Sequence, residues 1–425
     1  MTMILVFLAT LLLGVPISFS LGLTAVAGLY EMDPEFLIAI PQKLFATSNA
    51  YSMIAIPLFI MTGEIMGISG DIGRMMEFSR ALIGRVKGGL AYVCLIVGTM
   101  IGGLLGMANA AAALLSTTLY PEMVKDKYAR EFAAPFIAAV SVISPMIPPG
   151  LLFVIYGVAS NTSIAAIFAA GFPTGIMIAM MLGLIVYAKG RNSDWPVSQT
   201  TTTHKEFLAI SKRAAFSIFA PLMIFSFIAI GVCTPTEAAA VACVATFCVG
   251  TFVYKKIKFG DMKRILTSTA EISGAILIIS AMGGVLGWNL TLAMIPQAIA
   301  VGIASISDNP LVILLIVQFF LFLVGMIMDS APAVMILVPV FMPIMKRFDL
   351  DPVHFGLLMC LNLSIGLLTP PVGTVLYTTS AATGVPANRM IRAIWPWVGA
   401  LMLVLSIITF LPQTVMWLPR LITQR

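Results

Sequence analysis

The chain reads as an all-α polytopic membrane protein made of two related halves, each carrying a re-entrant helical hairpin. Three observations predict this. Of its 425 residues, 60% are hydrophobic and 10% charged, whereas a soluble domain carries about a quarter of its residues as charge. Apolar runs recur that are long enough for helices to cross a hydrocarbon core about 30 Å thick. Finally, two of these runs are broken by a proline pair. Ser144-Pro145-Met146-Ile147-Pro148-Pro149-Gly150 lies in the first half and Leu367-Leu368-Thr369-Pro370-Pro371-Val372-Gly373 in the second. The two pairs are 222 residues apart, as are Pro121 and Pro343, and Gly103 and Gly325. Proline removes a backbone donor and clashes with the preceding turn, so each pair should break a helix inside the membrane. Broken helices at matching positions of two repeats point to an ion- and substrate-coupled carrier.

The elements follow in order. Met3 to Leu29 is apolar throughout and reads as one retained membrane helix, kinked near Gly14 and Pro16. Glu31 to Gln42 is a polar interlude suited to an interface, and Ile54 to Ile68 is the next apolar run, with Glu64 inside it. Ile68 to Lys87 is polar and basic, as in an amphipathic surface helix. Gly89 to Leu119 is dense in small residues around Asn109, which suits close packing and a hairpin that dips in and turns back. Phe132 to Gly157 contains the first break, and Ile164 to Ala188 crosses again. Residues 1–190 thus form the first repeat and the polar stretch 191–213 the linker. In the second repeat, 214–425, Phe216 to Ile230, Ala238 to Tyr254 and Ala270 to Ile295 are apolar. A second hairpin spans about Leu311 to Met345, Phe355 to Tyr377 carries the second break, and Ile394 to Leu411 closes the chain. Eleven or so membrane elements result, some only half-crossing. The repeats are expected to be inverted, since parallel halves would not of themselves give alternating access; the rival is chance recurrence among 25 prolines and 34 glycines.

Several functions are excluded. The net charge of +6 resides in short clusters between apolar runs, such as Arg74, Arg80, Arg85 and Lys87, or Lys255, Lys256 and Lys258. Such clusters mark cytoplasmic loops and not nucleic-acid binding. They cannot all share one side if every run crosses fully, so some runs should be re-entrant. The five cysteines lack metal-ligand spacing and read as buried small hydrophobes, and the two histidines, His204 and His354, form no cluster. No dinucleotide fingerprint, P-loop, zinc-protease motif or nucleophile elbow is present. With no ATP site, uphill transport would have to draw on an ion gradient.

Asp329 is the sharpest single candidate. A carboxylate in hydrocarbon is costly and normally faces a cavity, a partner or an ion. It stands beside Ser330 and just before Pro332, where a helix should break and free its carbonyls, and hard oxygen donors of that kind suit Na⁺. Opposite it, Ser364, Thr369 and the carbonyls around Pro370 offer further oxygens. Asn109, Ser141, Ser144 and the carbonyls from Pro145 through Pro149 to Gly150 form a similar set in the first half. The competing reading of Asp329 is a helix cap or a wet interface; for each serine taken singly, bonding back along its own helix is favoured over coordination. Glu237, after Thr234-Pro235-Thr236, reads as a helix-capping residue.

Taken together, these motifs resemble the large membrane subunit of tripartite ATP-independent periplasmic (TRAP) transporters. The telling pieces are Pro148-Pro149-Gly150 with Ile155-Tyr156-Gly157, Pro235-Thr236-Glu237-Ala238-Ala239, Gly325-Met326-Ile327-Met328-Asp329-Ser330, and Gly366 to Gly373. The resemblance implies an elevator-type carrier in a bacterial inner membrane, with two or more Na⁺ near the hairpin tips. On this chain, the ion ligands would come from Gly103, Gly106, Asn109, Ser144, Pro145, Pro149, Gly325, Asp329, Gly366, Thr369, Pro370 and Gly373. Ser141, Ser330 and Ser364 would lie along the substrate path. The first tip, Gly106-Met107-Ala108-Asn109-Ala110, is poorer in serine than the family pattern. The implied partners are a separate small four-helix membrane subunit and a periplasmic binding protein that delivers an organic acid anion. Sialic acid is favoured on overall resemblance, with C4-dicarboxylates as the alternative. The rivals to a tripartite importer are a standalone Na⁺/organic anion carrier and a non-transporting membrane scaffold. No covalent step, and hence no enzyme, is implied.

Overall fold

The computed structural model describes residues 2–191, 193, 195–197, 202–305 and 307–423. All regular elements among them are helical, and an isolated antiparallel bridge joins Lys87 to Val197.

The first apolar segment differs from expectation. Instead of one kinked crossing, it forms α1 (Thr2–Leu12) and α2 (Ile17–Met32), separated by Gly14 at φ +75° and by Pro16. Both residues stop a helix, and α2 doubles back along α1. Asn289 thereby reaches Met3 Sδ at 3.3 Å and the Ala25 carbonyl at 3.1 Å. The polar interlude becomes a 3-10 turn capped by Asp33, followed by α3 (Ile40–Ser48). In α4 (Ala55–Ser69), Glu64 accepts a hydrogen bond from Ser268 at 2.8 Å, a partner the sequence did not reveal. α5 (Asp71–Ile83) is the surface helix.

α6 (Gly89–Leu105) and α7 (Ala108–Thr118) meet at a two-residue tip within the stretch read as the first hairpin. α8 (Tyr120–Lys125) leads to α9 (Arg130–Ser141), which bends by 45° across the Pro-Pro segment into α10 (Leu151–Ser160). α11 (Ile164–Arg191) is a full crossing. Part of the expected linker (192, 194 and 198–201) lies outside the described residues. Trp195 within it packs on Tyr128 and Phe132, ring centroids 5.1 and 4.6 Å away. α12 (His204–Ala229) already begins inside that stretch.

α13 (Pro235–Cys248) starts with the expected cap: Thr234 N–H donates to Glu237 Oε2 at 2.8 Å, and Glu237 N–H to Thr234 Oγ1 at 3.3 Å. A π turn, Val249–Val253, precedes the long α14 (Phe259–Leu292) and then α15 (Ile295–Ala304). α16 (Pro310–Ile327) and α17 (Ser330–Arg347) meet at Met328-Asp329. α18 (Pro352–Gly366) and α19 (Thr374–Thr383) flank the second Pro-Pro segment, and α20 (Ala387–Phe410) and α21 (Gln413–Thr423) complete the fold. Both the Pro148-Pro149 and the Pro370-Pro371 bonds are cis. Among the described residues, eight helices are long and apolar enough to cross a membrane, or nine spans if the bent α9–α10 pair is one.

The two broken helices sit at the centre. Every residue of α18 from His354 to Gly366 is buried, as expected of a helix that is apolar all round. Tyr156, from the Ile155-Tyr156-Gly157 motif, is buried and donates to the Pro352 carbonyl at 2.7 Å, tying α10 to the start of α18. Several basic segments gather at one end, as the contacts of Arg74, Arg80, Lys189 and Arg389 indicate. Arg80 pairs with Glu122, Arg389 pairs with Glu131 at 3.3 Å, Lys189 lies over Phe132 and Trp397, and Arg74 stacks on Tyr254. The turn at Gly106-Met107 lets the chain leave and rejoin this end between Arg80 and Glu122.

A candidate ion site between two helix tips

Each tip is formed by sequence-local physics. Gly106 ends α6 at φ +60°, where a side chain would be strained, and a Cβ there would stand 2.7 Å from Leu151 N. Asp329 is the N-cap of α17, with Oδ1 accepting from Ser330 N–H at 2.6 Å. The tips are held close to the breaks by backbone approaches. A Cβ on Gly325 would lie 2.8 Å from the Leu363 carbonyl oxygen, and Gly366 is pressed against the Gly325 backbone. On the first side, a Cβ on Gly103 would lie 2.9 Å from the Pro148 carbonyl oxygen. The Met326 carbonyl at the end of α16 is satisfied across the gap by the amides of Val372 (3.1 Å) and Gly373 (3.4 Å).

Asn109 Nδ2 donates to Asp329 Oδ2 at 3.0 Å and to Thr374 Oγ1 at 3.3 Å. One side chain thus joins the first tip, the second tip and the helix that follows the second break. A cavity of about 60 Å³ lies between them, roughly two waters' share of liquid volume. It is lined by Gly106, Asn109, Pro145, Asp329, Ser330 and Ser364, with Leu151, Leu152, Ile155 and Leu367 as its apolar wall. Three buried oxygens here and nearby, Asn109 Oδ1, Ser330 Oγ and Ser144 Oγ, have no hydrogen-bond partner among the described residues. Other buried oxygens, such as Asn289 Oδ1 and Asn362 Oδ1, are also unpaired; what distinguishes this place is that the free oxygens stand beside a carboxylate, a donor set suited to a hard cation.

The remaining candidates are placed differently. Gly103, Gly325 and Gly366 provide close backbone packing and do not line the cavity. Pro149 lies behind Gly106, with its carbonyl oxygen 3.2 Å from where a Cβ would be. Thr369 Oγ1 donates to the Gly366 carbonyl at 2.8 Å, Pro370 forms the cis bond, and Gly373 caps α19 at φ +43°. Ser141 and Ser364 both donate along their own helices, to Ala138 and Cys360, each at 2.7 Å. Thr374 was missed from sequence. Its signal is a hydroxyl opening a helix directly after a proline-broken segment. No group of three His, Cys, Asp or Glu suited to a metal occurs among the described residues.

A second, larger space of about 800 Å³ opens between α3, the end of α10, α14 and α17. Among the described residues, Lys43 is the only charged one in its lining and stands 5.2 Å over the Trp288 ring, with Thr47, Asn161, Thr162 and Thr291 nearby.

Comparison with known proteins identifies the family. The family model for the DctM component of tripartite ATP-independent periplasmic transporters matches residues 4–414. The chain belongs to this family. It is 33% identical over 400 residues to the C4-dicarboxylate TRAP transporter large permease protein DctM of Pseudomonas aeruginosa, covering 94% of this chain and 93% of that one. It is 32% identical over 414 residues to the sialic acid TRAP transporter large permease protein SiaM of Vibrio cholerae, covering 97% of each. In fold it resembles the crystal structure of the Alcanivorax borkumensis YdaH transporter, with a TM-score of 0.64 at 12% identity over 91% of this chain and 90% of that one. This TRAP large permease is therefore a multi-pass protein of a bacterial inner membrane, and its work is transport and not covalent catalysis.

Proposed function

We propose that this permease is the membrane carrier of a Na⁺-coupled importer of an organic acid anion. The observation that supports it best is the junction of Asn109, Asp329 and Thr374 around a cavity of ionic size with unpaired oxygens. Na⁺ would be held by the Asp329 carboxylate, Asn109 Oδ1 and Ser330 Oγ, with backbone carbonyls near Pro145. Neutralising Asp329 would bind the two tips together; without the ion, a desolvated carboxylate is left with one amide side chain and its own cap. The cavity is too small for an organic acid, whereas the larger space beside Lys43 is in the usual range for small-molecule pockets. The anion would enter there.

The reading includes two inverted repeats, 1–190 and 214–425, joined by the linker and moving by an elevator mechanism. The paired tips and the paired Pro-Pro breaks support it. By the positive-inside bias the basic end faces the cytoplasm, leaving Lys43 and Trp288 on the periplasmic side. A small four-helix membrane subunit and a periplasmic binding protein would complete the system, as the tripartite family name implies. Sialic acid is the substrate favoured from sequence. The relatives named for sialic acid and for C4-dicarboxylates stand at 32% and 33% identity, so a substrate panel must decide between them.

The test is uptake of labelled sialate and C4-dicarboxylates into vesicles holding this chain and its small subunit, with the binding protein outside and a Na⁺ gradient imposed. Uptake of one acid that requires all three proteins and Na⁺ is expected. Uptake by this chain alone would make it a standalone carrier, and the same uptake without Na⁺ would remove the coupling ion from the scheme.

A further inference from the structure

At the basic end, away from both spaces above, the chain forms a pocket of about 740 Å³ between the N-terminal turn of α5, α12 and the π turn after α13. Its polar lining is Arg74, Lys212, Arg213 and Tyr254, and its walls are Ala215, Phe216, Val249 and Val253. Among the described residues, three cations and no carboxylate therefore line one concavity. Arg74 is fixed in place. Its guanidinium stacks 3.3 Å from the Tyr254 ring centroid, donates twice to the Ser69 carbonyl at 3.1 and 2.9 Å, and lies 3.6 Å from Asp71. Asp71 is buried and already accepts from Ser69 and Ser217, so it restrains Arg74 from behind. Lys212 and Arg213 are exposed, and no salt bridge to either occurs among the described residues.

We propose that this pocket binds the headgroup of an anionic phospholipid. The phosphate would sit against Arg74, Lys212 and Arg213, and the glycerol and upper acyl chain would lie on Phe216, Val249 and Val253. Charge sets the sign of the ligand, and the mixed lining sets its class. A small soluble anion has no use for an apolar wall, and the flanking surface is itself apolar, with Phe219, Phe252 and Val253 more than half exposed. Basic pockets between membrane helices at the cytoplasmic face bind anionic headgroups by this chemistry. The site is independent of the transported acid.

The experiment is native mass spectrometry of the full-length chain in mild detergent, titrated with cardiolipin, phosphatidylglycerol or phosphatidylethanolamine. One anionic lipid should be retained at least tenfold more tightly than phosphatidylethanolamine. At about 1 kcal/mol per cation, Lys212→Gln with Arg213→Gln should weaken it about 30-fold. Lys255→Gln with Lys256→Gln, equally exposed but outside the lining, should leave it unchanged. Should the first pair fold poorly, a photoreactive phosphatidylglycerol applied to the wild-type chain should label Phe216 or Val253. Equal retention of the zwitterionic lipid, equal loss in both variant pairs, or labelling elsewhere would overturn the proposal. So would full displacement by inorganic phosphate, or loss of a copurifying protein subunit instead of lipid.

Discussion

Asn109 and Asp329, 220 residues apart, share a 3.0 Å hydrogen bond that joins the tips of two helix pairs from opposite halves of the chain. The amide donates through nitrogen, which leaves its oxygen free. The contact therefore both restrains the carboxylate and presents a second acceptor beside it.

Substituting Asp329→Asn keeps the shape and removes the charge. Na⁺-dependent uptake should fall at least 100-fold, and the stabilisation of the purified protein by Na⁺ in thermal melts should disappear. Retained Na⁺ stabilisation would move the ion elsewhere.

A double-mutant cycle with Asn109→Ala and Asp329→Ala should show non-additive loss of Na⁺ affinity. The coupling expected for a hydrogen bond to a charged group is about 1.5–3 kcal/mol. Additive losses would mean that the two tips bind independently.

Gly325→Ala or Gly366→Ala forces a methyl into a neighbouring backbone. Either should cost about 1–3 kcal/mol or more, seen as a lower melting temperature and a poor yield of monodisperse protein. Gly274→Ala, where a Cβ meets nothing within 4 Å, is the matched control and should be neutral or slightly stabilising.

Glu237→Ala removes one half of a helix cap. A slightly lower melting temperature is expected, with no change in the Na⁺ dependence of uptake. A changed ion dependence would give Glu237 a role in transport that its exposed position does not suggest.

Single cysteines introduced at Lys255 and Lys346 in a cysteine-free background should label from opposite faces of sealed vesicles. Impermeant maleimide should reach the Lys346 position from the periplasmic side. Labelling of the Lys255 position from the periplasmic side would refute the orientation inferred from the basic end, and labelling of both from one side would refute their placement on opposite faces.

The sequence made the helical class, the first tip and both breaks legible because glycine, proline and a lone carboxylate act locally, and hydrocarbon magnifies their effect. Asp329 stood out for that reason. Thr374 did not, since one hydroxyl among many gains meaning only when Asn109 arrives from far along the chain. The same holds for Ser268, the partner of Glu64. The fold-back of α1 on α2 was missed because hydropathy cannot separate one long crossing from two short helices. Gly14 and Pro16 were visible, but whether they bend or reverse the path depends on what α14 offers as a surface. Ser141 illustrates the opposite case: its hydroxyl is occupied by its own helix, the local outcome that residue type alone already offers for a serine inside a helix.

The meeting of Gly325 with Gly366 has a mechanical consequence. Two backbones in direct contact have no side chains between them that could repack to form a hinge. On the elevator reading proposed above, α16 and α18 would travel as one piece, and the cavity would open along a different seam, where side chains can slide.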